Sequence, residues 1–163
     1  MLVKTYGAAV SGIDAIIVTV ETVLDRGFQY CIVGLPDTAV KESHERVRSA
    51  LKQSGMEIPR KSVTINMAPA DVKKEGAAYD LPIAVSLLAA AEKLDPTVLS
   101  DYVIMGELSL DGSLQPVRGV LPMAIEARAR GFKGMIVPAA NATEAAVVNR
   151  LSGYRGNSLT EGI

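Results

Sequence analysis

Apolar residues alternate with polar ones at the start of the chain, which is the pattern of half-buried β-strands. The alternation predicts strands over residues 2–10, 15–24 and 28–33, and the turn Asp25-Arg26-Gly27 separates the last two. Because short connections usually join antiparallel neighbours, we expect these three strands to form an antiparallel meander.

The apolar spacing becomes helical after Gly34-Leu35-Pro36-Asp37, a segment that breaks the sheet and offers Asp37 as an N-cap. A helix is predicted from there to Ser54, and Gly55 ends it. Residues 81–93 predict a second helix that is apolar nearly all round and therefore belongs in the interior. Two further helices are predicted over residues 119–130 and 143–151.

The remaining strands are predicted over residues 62–67, 102–110, 113–117 and 134–137, and Asp111-Gly112 marks a hairpin between the middle two. The resulting order is β-β-β-α-β-α-β-β-α-β-α, which indicates an α+β, or mixed α/β, fold. A length of 163 residues fits one domain. We expect this domain over residues 1–151, with residues 152–163 beginning a connection.

The composition describes an aliphatic core. Apolar residues make up 48% of the chain and aromatic residues only 4%, with no tryptophan. The single cysteine, Cys31, lies in a predicted strand and is expected to be a buried, inert thiol in a reducing compartment. No apolar run approaches the roughly 20 residues of a membrane span, so we expect a soluble, cytoplasmic protein without a membrane partner.

Motifs for nucleotide and metal chemistry are missing from the sequence. Without a glycine-rich loop ending in Lys-Ser/Thr, this chain alone is expected neither to bind nor to hydrolyse ATP. One histidine and one cysteine cannot form the usual zinc sites, so no metal ligand is predicted. His44 falls on or beside the buried stripe of its helix and is expected to be a packed or half-exposed residue rather than a catalytic base. Asp80, just before Leu81-Pro82, is interpreted as a helix N-cap.

Positive charge is concentrated between residues 41 and 74, where the sequence has eight basic and four acidic side chains. Such a bias permits a basic surface that contacts phosphates or an acidic partner. It is equally typical of a solvated helix with charge pairs such as Glu42–Arg46. The candidate contact residues are Lys41, Arg46, Arg48, Arg60, Lys61, Lys73 and Lys74. Lys73 and Lys74 are expected to project together into solvent from one loop.

Several ordered motifs resemble one protein family. They are Val33-Gly34-Leu35-Pro36-Asp37, the run Asn66-Met67-Ala68-Pro69-Ala70-Asp71-Val72-Lys73-Lys74-Glu75-Gly76, Asp80-Leu81-Pro82-Ile83-Ala84, Gly106-Glu107-Leu108-Ser109-Leu110-Asp111-Gly112 and Pro116-Val117-Arg118-Gly119. Together they resemble the N-terminal domain of the ComM/YifB family, the magnesium-chelatase-like AAA+ ATPases. The family-motif loop residues are Asn66, Pro69, Glu75, Gly76 and Asp80.

The resemblance implies a Lon-protease-like, ribosomal-protein-domain-2-like fold. Carried over by position, the serine and lysine of the Lon peptidase dyad fall on Ala78 and Leu121. Neither residue can act as nucleophile or base, so catalytic residues are not expected. A Ser/Lys peptidase therefore remains a disfavoured alternative, as does a magnesium-chelatase partner subunit.

The resemblance also implies a role within a longer protein. We expect a non-catalytic accessory domain that works in cis with an AAA+ ATPase module. The full-length protein is expected to use ATP and Mg, to form a homo-hexamer and to move along DNA in branch migration, recombination or natural transformation. The domain itself would contribute to assembly or to nucleic-acid contacts.

Overall fold

The computed structural model describes residues 2–58, 60–146 and 152–156, and it places them in a mixed sheet with packed helices. The strands are β1 (Leu2–Ser11), β2 (Asp14–Asp25), β3 (Tyr30–Val33), β4 (Ser62–Ala68), β5 (Tyr102–Ile104), β6 (Glu107–Leu108), β7 (Leu114–Gln115), β8 (Gly134–Pro138) and β9 (Ser152–Gly156). The helices are α1 (Thr38–Lys41), α2 (Ser43–Gln53), α3 (Asp80–Ala90), α4 (Val120–Ala129) and α5 (Ala142–Ala146). Short 3₁₀ turns cover Leu99–Asp101 and Ala139–Asn141.

Seven strands form the main sheet in the order β3-β4-β2-β1-β5-β8-β9, while β6 and β7 form a separate ribbon. β1 and β2 make an antiparallel hairpin, and β4 runs antiparallel to β2. The other neighbouring pairs of the sheet are parallel. The mixed α/β class predicted from the sequence is therefore confirmed.

The predicted meander is wrong at its third strand. β3 pairs in parallel with β4, beginning with Tyr30 opposite Val63, and is not a neighbour of β2. β4 itself pairs with β2 along all of its seven residues and so takes the edge that β3 would need. Because α1 and α2 form the connection between β3 and β4, the parallel arrangement is accessible. As an edge strand, β3 leaves Cys31 exposed, so the expectation of a buried thiol is also wrong.

Helix α3 is the centre of the core. All of its eleven residues are buried, and it packs against β1 and β2, as its apolar composition predicts. Its buried polar contacts are satisfied, because Thr5 donates to the carbonyl of Pro82 at 3.0 Å and the hydroxyls of Thr22 and Ser86 lie 2.7 Å apart. None of the helices in the described ranges is long and apolar enough to cross a membrane.

Three predicted elements differ in extent. The helix expected to end at Ser54 is divided at Glu42 into α1 and α2. The strand expected over residues 102–110 is split, so that β5 joins the main sheet and only β6 pairs with β7. The last predicted helix is described only as α5, since residues 147–151 lie outside the described residues. β9 pairs with β8, so the sheet extends to Gly156, beyond the expected limit at residue 151.

Candidate functional site

A cleft, here called the dyad cleft, contains Ala78, one of the two positions to which the sequence resemblance assigns the Lon dyad. Its volume is about 540 Å³, and it lies between residues 75–79 and residues 116–118. Ala78 lines it, and the backbone N–H of Gly106 donates to the carbonyl of Ala78 at 2.8 Å. Leu121 does not line the cleft and is 42% exposed. The structure therefore brings only one of the two dyad positions to this cleft.

The dyad cleft also lacks an activated nucleophile among the residues that the structure describes. Its lining contains no serine, threonine or cysteine, and its one hydroxyl belongs to Tyr79. Burial raises the pKa of the Tyr79 phenol above its usual range, and nearby Asp37 and Glu75 raise it further. A phenol that stays neutral is a poor nucleophile, and no imidazole or ammonium lines the cleft to activate it.

The loops that follow β3 and β4 are joined by a group of residues that we call the clasp: Gly34, Asp37, Pro69, Lys74 and Gly76. Lys74 is fully buried, at 0% exposure. Its ammonium donates to the carbonyl oxygen of Gly34 at 2.7 Å and to that of Pro69. Burial lowers the pKa of the Lys74 ammonium, while the Asp71 carboxylate opposes this change. The expectation that Lys74 projects into solvent is therefore wrong.

Asp37 connects the clasp to the start of α1. One carboxylate oxygen accepts the backbone N–H of Val40 at 2.8 Å, which confirms the predicted N-cap. The other accepts the N–H of Gly76 at 3.0 Å and so holds the loop after β4. At Gly34, where φ is +106°, an added Cβ would collide with the carbonyl oxygen of Met67. The motif residues here therefore stabilise the contact between two loops.

Asp80 and Arg46 form an ion pair between α3 and α2. The Arg46 guanidinium donates through Nε at 2.7 Å and through Nη2 at 3.0 Å to the buried Asp80 carboxylate. The backbone N–H of Leu108 donates to the same carboxylate at 3.1 Å. Burial raises the pKa of the Asp80 carboxyl to about 6, against the opposing effect of the Arg46 and Leu108 hydrogen bonds. The N-cap interpretation of Asp80 is wrong, because the cap position is Tyr79 and makes no side-chain capping bond.

Two of the seven predicted contact residues thus form internal contacts. Arg46 pairs with Asp80, and Lys74 donates to carbonyl oxygens of the clasp. Lys73 is exposed, but its ammonium lies 3.3 Å from the Glu75 carboxylate. Lys41 is exposed on α1. Asn66 of the family motif donates to Glu21 at 2.8 Å across the β4–β2 pair.

The other three predicted residues, Arg48, Arg60 and Lys61, come together at a groove of about 640 Å³. We call this the basic groove. One wall is a face of α2, where His44, Arg48 and Lys52 follow each other at intervals of four residues. Apolar side chains form part of the lining: Leu51, Met56, Ile58 and Val63. Arg60, Lys61, Lys93 and residues of the β2–β3 turn complete the lining.

The charge of the basic groove is strongly positive. It contains five exposed basic side chains against the single carboxylate of Glu57: Arg48, Lys52, Arg60, Lys61 and Lys93. Arg48 pairs with Glu45 at 2.9 Å on an exposed turn of α2. Within the described part of the chain the other four form no ion pair. Their positive charge is therefore available to a polyanion.

Three side chains with planar rings also line the groove: Phe28, Tyr30 and His44. Phe28 lies in the β2–β3 turn and is 89% exposed. The Tyr30 and His44 rings stack with their centroids 3.7 Å apart and an interplanar angle of 9°. Burial lowers the pKa of the His44 imidazole; nearby Glu45 opposes this change and the Arg48 cation adds to it, so the neutral form is favoured at pH 7.

The sequence interpretation missed five of these groove residues. The spacing of His44, Arg48 and Lys52 was a usable signal, because residues four apart lie on the same face of a helix. Phe28, Tyr30 and Lys93 carried no such signal, since the fold brings them to the groove from separate elements.

Residues 20–141 match the family model described as subunit ChlI of Mg-chelatase. The chain is also 47% identical over 142 residues to YifB of Escherichia coli, which covers 86% of this chain and 28% of that protein. It is 40% identical over 161 residues to competence protein ComM of Haemophilus influenzae, which covers 98% of this chain and 31% of ComM.

The chain belongs to the ComM/YifB family of magnesium-chelatase-like proteins. It spans about three tenths of the length of the family members named above. It is further similar to Lon protease 2 of Bacillus subtilis, at 30% identity over 115 residues, which is 69% of this chain and 20% of the protease. The domain of this ComM/YifB family member is therefore Lon-protease-like in fold, and Ala78 lines its dyad cleft.

Proposed function

We propose that this domain is a non-catalytic, nucleic-acid-contacting part of a cytoplasmic AAA+ ATPase that moves along DNA. The observation that supports this best is the basic groove, whose lining combines apolar side chains with four cations that form no ion pair within the described residues. Lys and Arg side chains that neutralise phosphates release counterions from DNA, and this gives binding that does not depend on base sequence. The contact is therefore expected to be weak, salt-dependent and indifferent to sequence.

We place ATP and Mg²⁺ in a further module of the full-length protein. This chain has no phosphate-binding loop, and its described residues contain no cluster of three side chains suited to a metal. The proposal includes assembly with that module in cis and a homo-hexameric ring. A ring would present several basic grooves to one DNA and raise the overall affinity without new contacts.

Binding to DNA tests the role of the groove. Fluorescence anisotropy with a labelled oligonucleotide is measured for the 163-residue chain at about 50 and 200 mM salt. If about four phosphates are neutralised, affinity falls roughly 50- to 150-fold between these concentrations. Arg60→Glu/Lys61→Glu is expected to lower the affinity at least about tenfold, since both cations are lost.

Two single variants serve as controls. Lys73→Glu changes an exposed cation that is paired outside the groove, and Arg128→Glu changes an exposed cation on α4. Both are expected to bind within about twofold of the wild type. If Lys73→Glu weakens binding as much as Arg60→Glu/Lys61→Glu does, the loop after β4 and not the groove carries the contact. Binding that does not respond to salt rules out phosphate recognition altogether.

The non-catalytic part of the proposal rests on the dyad cleft and has its own test. A serine-reactive phosphonate probe is expected to leave the chain unlabelled, and an unstructured protein substrate is expected to remain uncut. Labelling or turnover that disappears on mutation of Tyr79 would instead identify a nucleophile in the cleft.

A further inference from the structure

Phe28 is in an unusual position for a phenylalanine. It is 89% exposed at the rim of the basic groove, in a chain with two phenylalanines and no tryptophan. The ring contacts among the described residues are Tyr6 with Phe132 and Tyr30 with His44, and Phe28 takes part in neither. Both of its ring faces are thus open to a planar ligand.

The groove combines two properties that single-stranded nucleic acid requires. Exposed cations can follow the phosphates, and an accessible ring can stack on an unpaired base. The stacked Tyr30–His44 pair adds a second, uncharged aromatic surface in the same groove. The groove volume of about 640 Å³ lies within the range of sites that enclose small organic groups.

A nucleic-acid duplex can contact the exposed cations of the groove but cannot also stack its paired bases on the ring. Its bases are stacked on each other, so they would meet the Phe28 ring only after being unstacked, which costs free energy. Its phosphates can still contact Arg60 and Lys61 at the rim. The ring therefore distinguishes between the two forms of nucleic acid, while the cations bind both.

We infer that the basic groove takes single-stranded nucleic acid, with an unpaired base stacked on Phe28 and the adjoining phosphates held by the groove cations. This inference rests on the proposed function and specifies the form of its ligand. Aromatic residues make up only 4% of the sequence, yet the structure brings Phe28, Tyr30 and the imidazole of His44 to this one groove.

The test compares four ligands of equal length: a DNA single strand, the matched RNA strand, the DNA duplex and an abasic strand that keeps the phosphates but lacks bases. Phe28→Ala is expected to weaken binding of the single strand about 5- to 30-fold. Binding of the duplex and of the abasic strand is expected to stay within about twofold. The matched control is Ile13→Ala, which removes an apolar side chain that is 90% exposed in the β1–β2 turn and is expected to change nothing.

Phe28→Trp provides a direct readout, because it would be the one tryptophan of the chain. We expect it to retain the affinity of the wild type for the single strand and to lose fluorescence when a base stacks on the indole. The abasic strand should not quench it. Equal quenching by the abasic strand, or an equal loss of all ligands in Phe28→Ala, would overturn the stacking inference.

The two proposals fail in different ways. If the wild type binds no ligand, or binds without salt dependence, the proposed function fails. If it binds every ligand with salt dependence and Phe28→Ala behaves like the wild type, only the stacking inference fails. A preference of the wild type for the duplex would also reject it, and the DNA and RNA strands show which sugar is tolerated.

Discussion

The basic stretch between residues 41 and 74 supplies both buried and exposed cations, and the two groups have opposite surroundings. Lys74 and Arg46 are enclosed by acceptors, carbonyl oxygens in one case and a carboxylate in the other. Lys52, Arg60 and Lys61 are exposed in the basic groove and pair with no carboxylate in the part of the chain that the structure describes. Buried charge needs close partners because desolvation is costly, whereas exposed charge is free to meet a ligand. Cations that are close in the sequence therefore do not have to share a function.

The largest expected effect comes from removing the partner of a buried cation. Asp80→Ala leaves Arg46 without its carboxylate, and we expect the free energy of unfolding to fall by about 3–5 kcal/mol. Chemical denaturation measures this, and Asp14→Ala, which removes an exposed carboxylate, is the control. The double variant Arg46→Met/Asp80→Leu should recover much of the loss, because no unpaired charge remains. A loss below about 1 kcal/mol in Asp80→Ala would show that the pair is not a buried one.

Lys74→Met should give the next largest effect. The substitution keeps an apolar stem of similar length but leaves the carbonyl oxygens of Gly34 and Pro69 without the ammonium donor. We expect the free energy of unfolding to fall by about 2 kcal/mol. Lys73→Met, one residue earlier and exposed, should change it by less than about 0.5 kcal/mol. Equal effects of the two substitutions would place Lys74 on the surface, contrary to the clasp.

Asp80 also predicts a dependence of stability on pH. Its pKa rises from 3.8 to about 6 on folding because of burial, so the folded domain holds this proton more tightly than the unfolded chain does. The part of the Asp80 contribution to stability that comes from tighter proton binding is then fully present below about pH 4 and is lost as the pH rises through about 6. We expect the stability of the wild type relative to Asp80→Asn to fall across this window. A carboxyl carbon of Asp80 that titrates near pH 4 by NMR would contradict the prediction.

The smallest effect on stability is expected in the groove. Lys61→Glu should change the free energy of unfolding by less than about 0.5 kcal/mol, since its side chain is exposed and makes no ion pair among the described residues. Affinity for DNA should nevertheless fall several-fold, and the salt dependence should decrease by about one phosphate contact. A variant that loses stability and affinity in parallel would remove the contrast between the two groups of cations.

Local patterns predicted local structure well. Asp37 was recognisable as an N-cap because a cap depends on a few adjacent residues, and the interior position of α3 follows from its own composition. Pairing between distant strands was not predictable in the same way. Nothing near Tyr30 indicates that its neighbour in the sheet is Val63 rather than a residue of β2.

Whether a cation is buried or exposed also depends on contacts between residues that are far apart in the sequence. Lys74 is buried because the carbonyl of Gly34 reaches it from a loop 40 residues away. Lys93 lines the groove from the segment after α3, outside the basic stretch of residues 41–74. Composition correctly showed that aromatic residues are few, but it could not show that Phe28 and Tyr30 share one groove with the imidazole of His44. Charge counting therefore identified the stretch that supplies four of the five groove cations, but not Lys93.

The ion pair between α2 and α3 has a mechanical consequence. Arg48 and Lys52 project from α2 into the groove, while Arg46 of the same helix is fixed to Asp80 at the start of the fully buried α3. On the proposed function, tension on a strand bound in the groove passes through this pair to α3, all of whose residues are buried. The ion pair that stabilises the fold then also anchors one wall of the groove to the core of the domain.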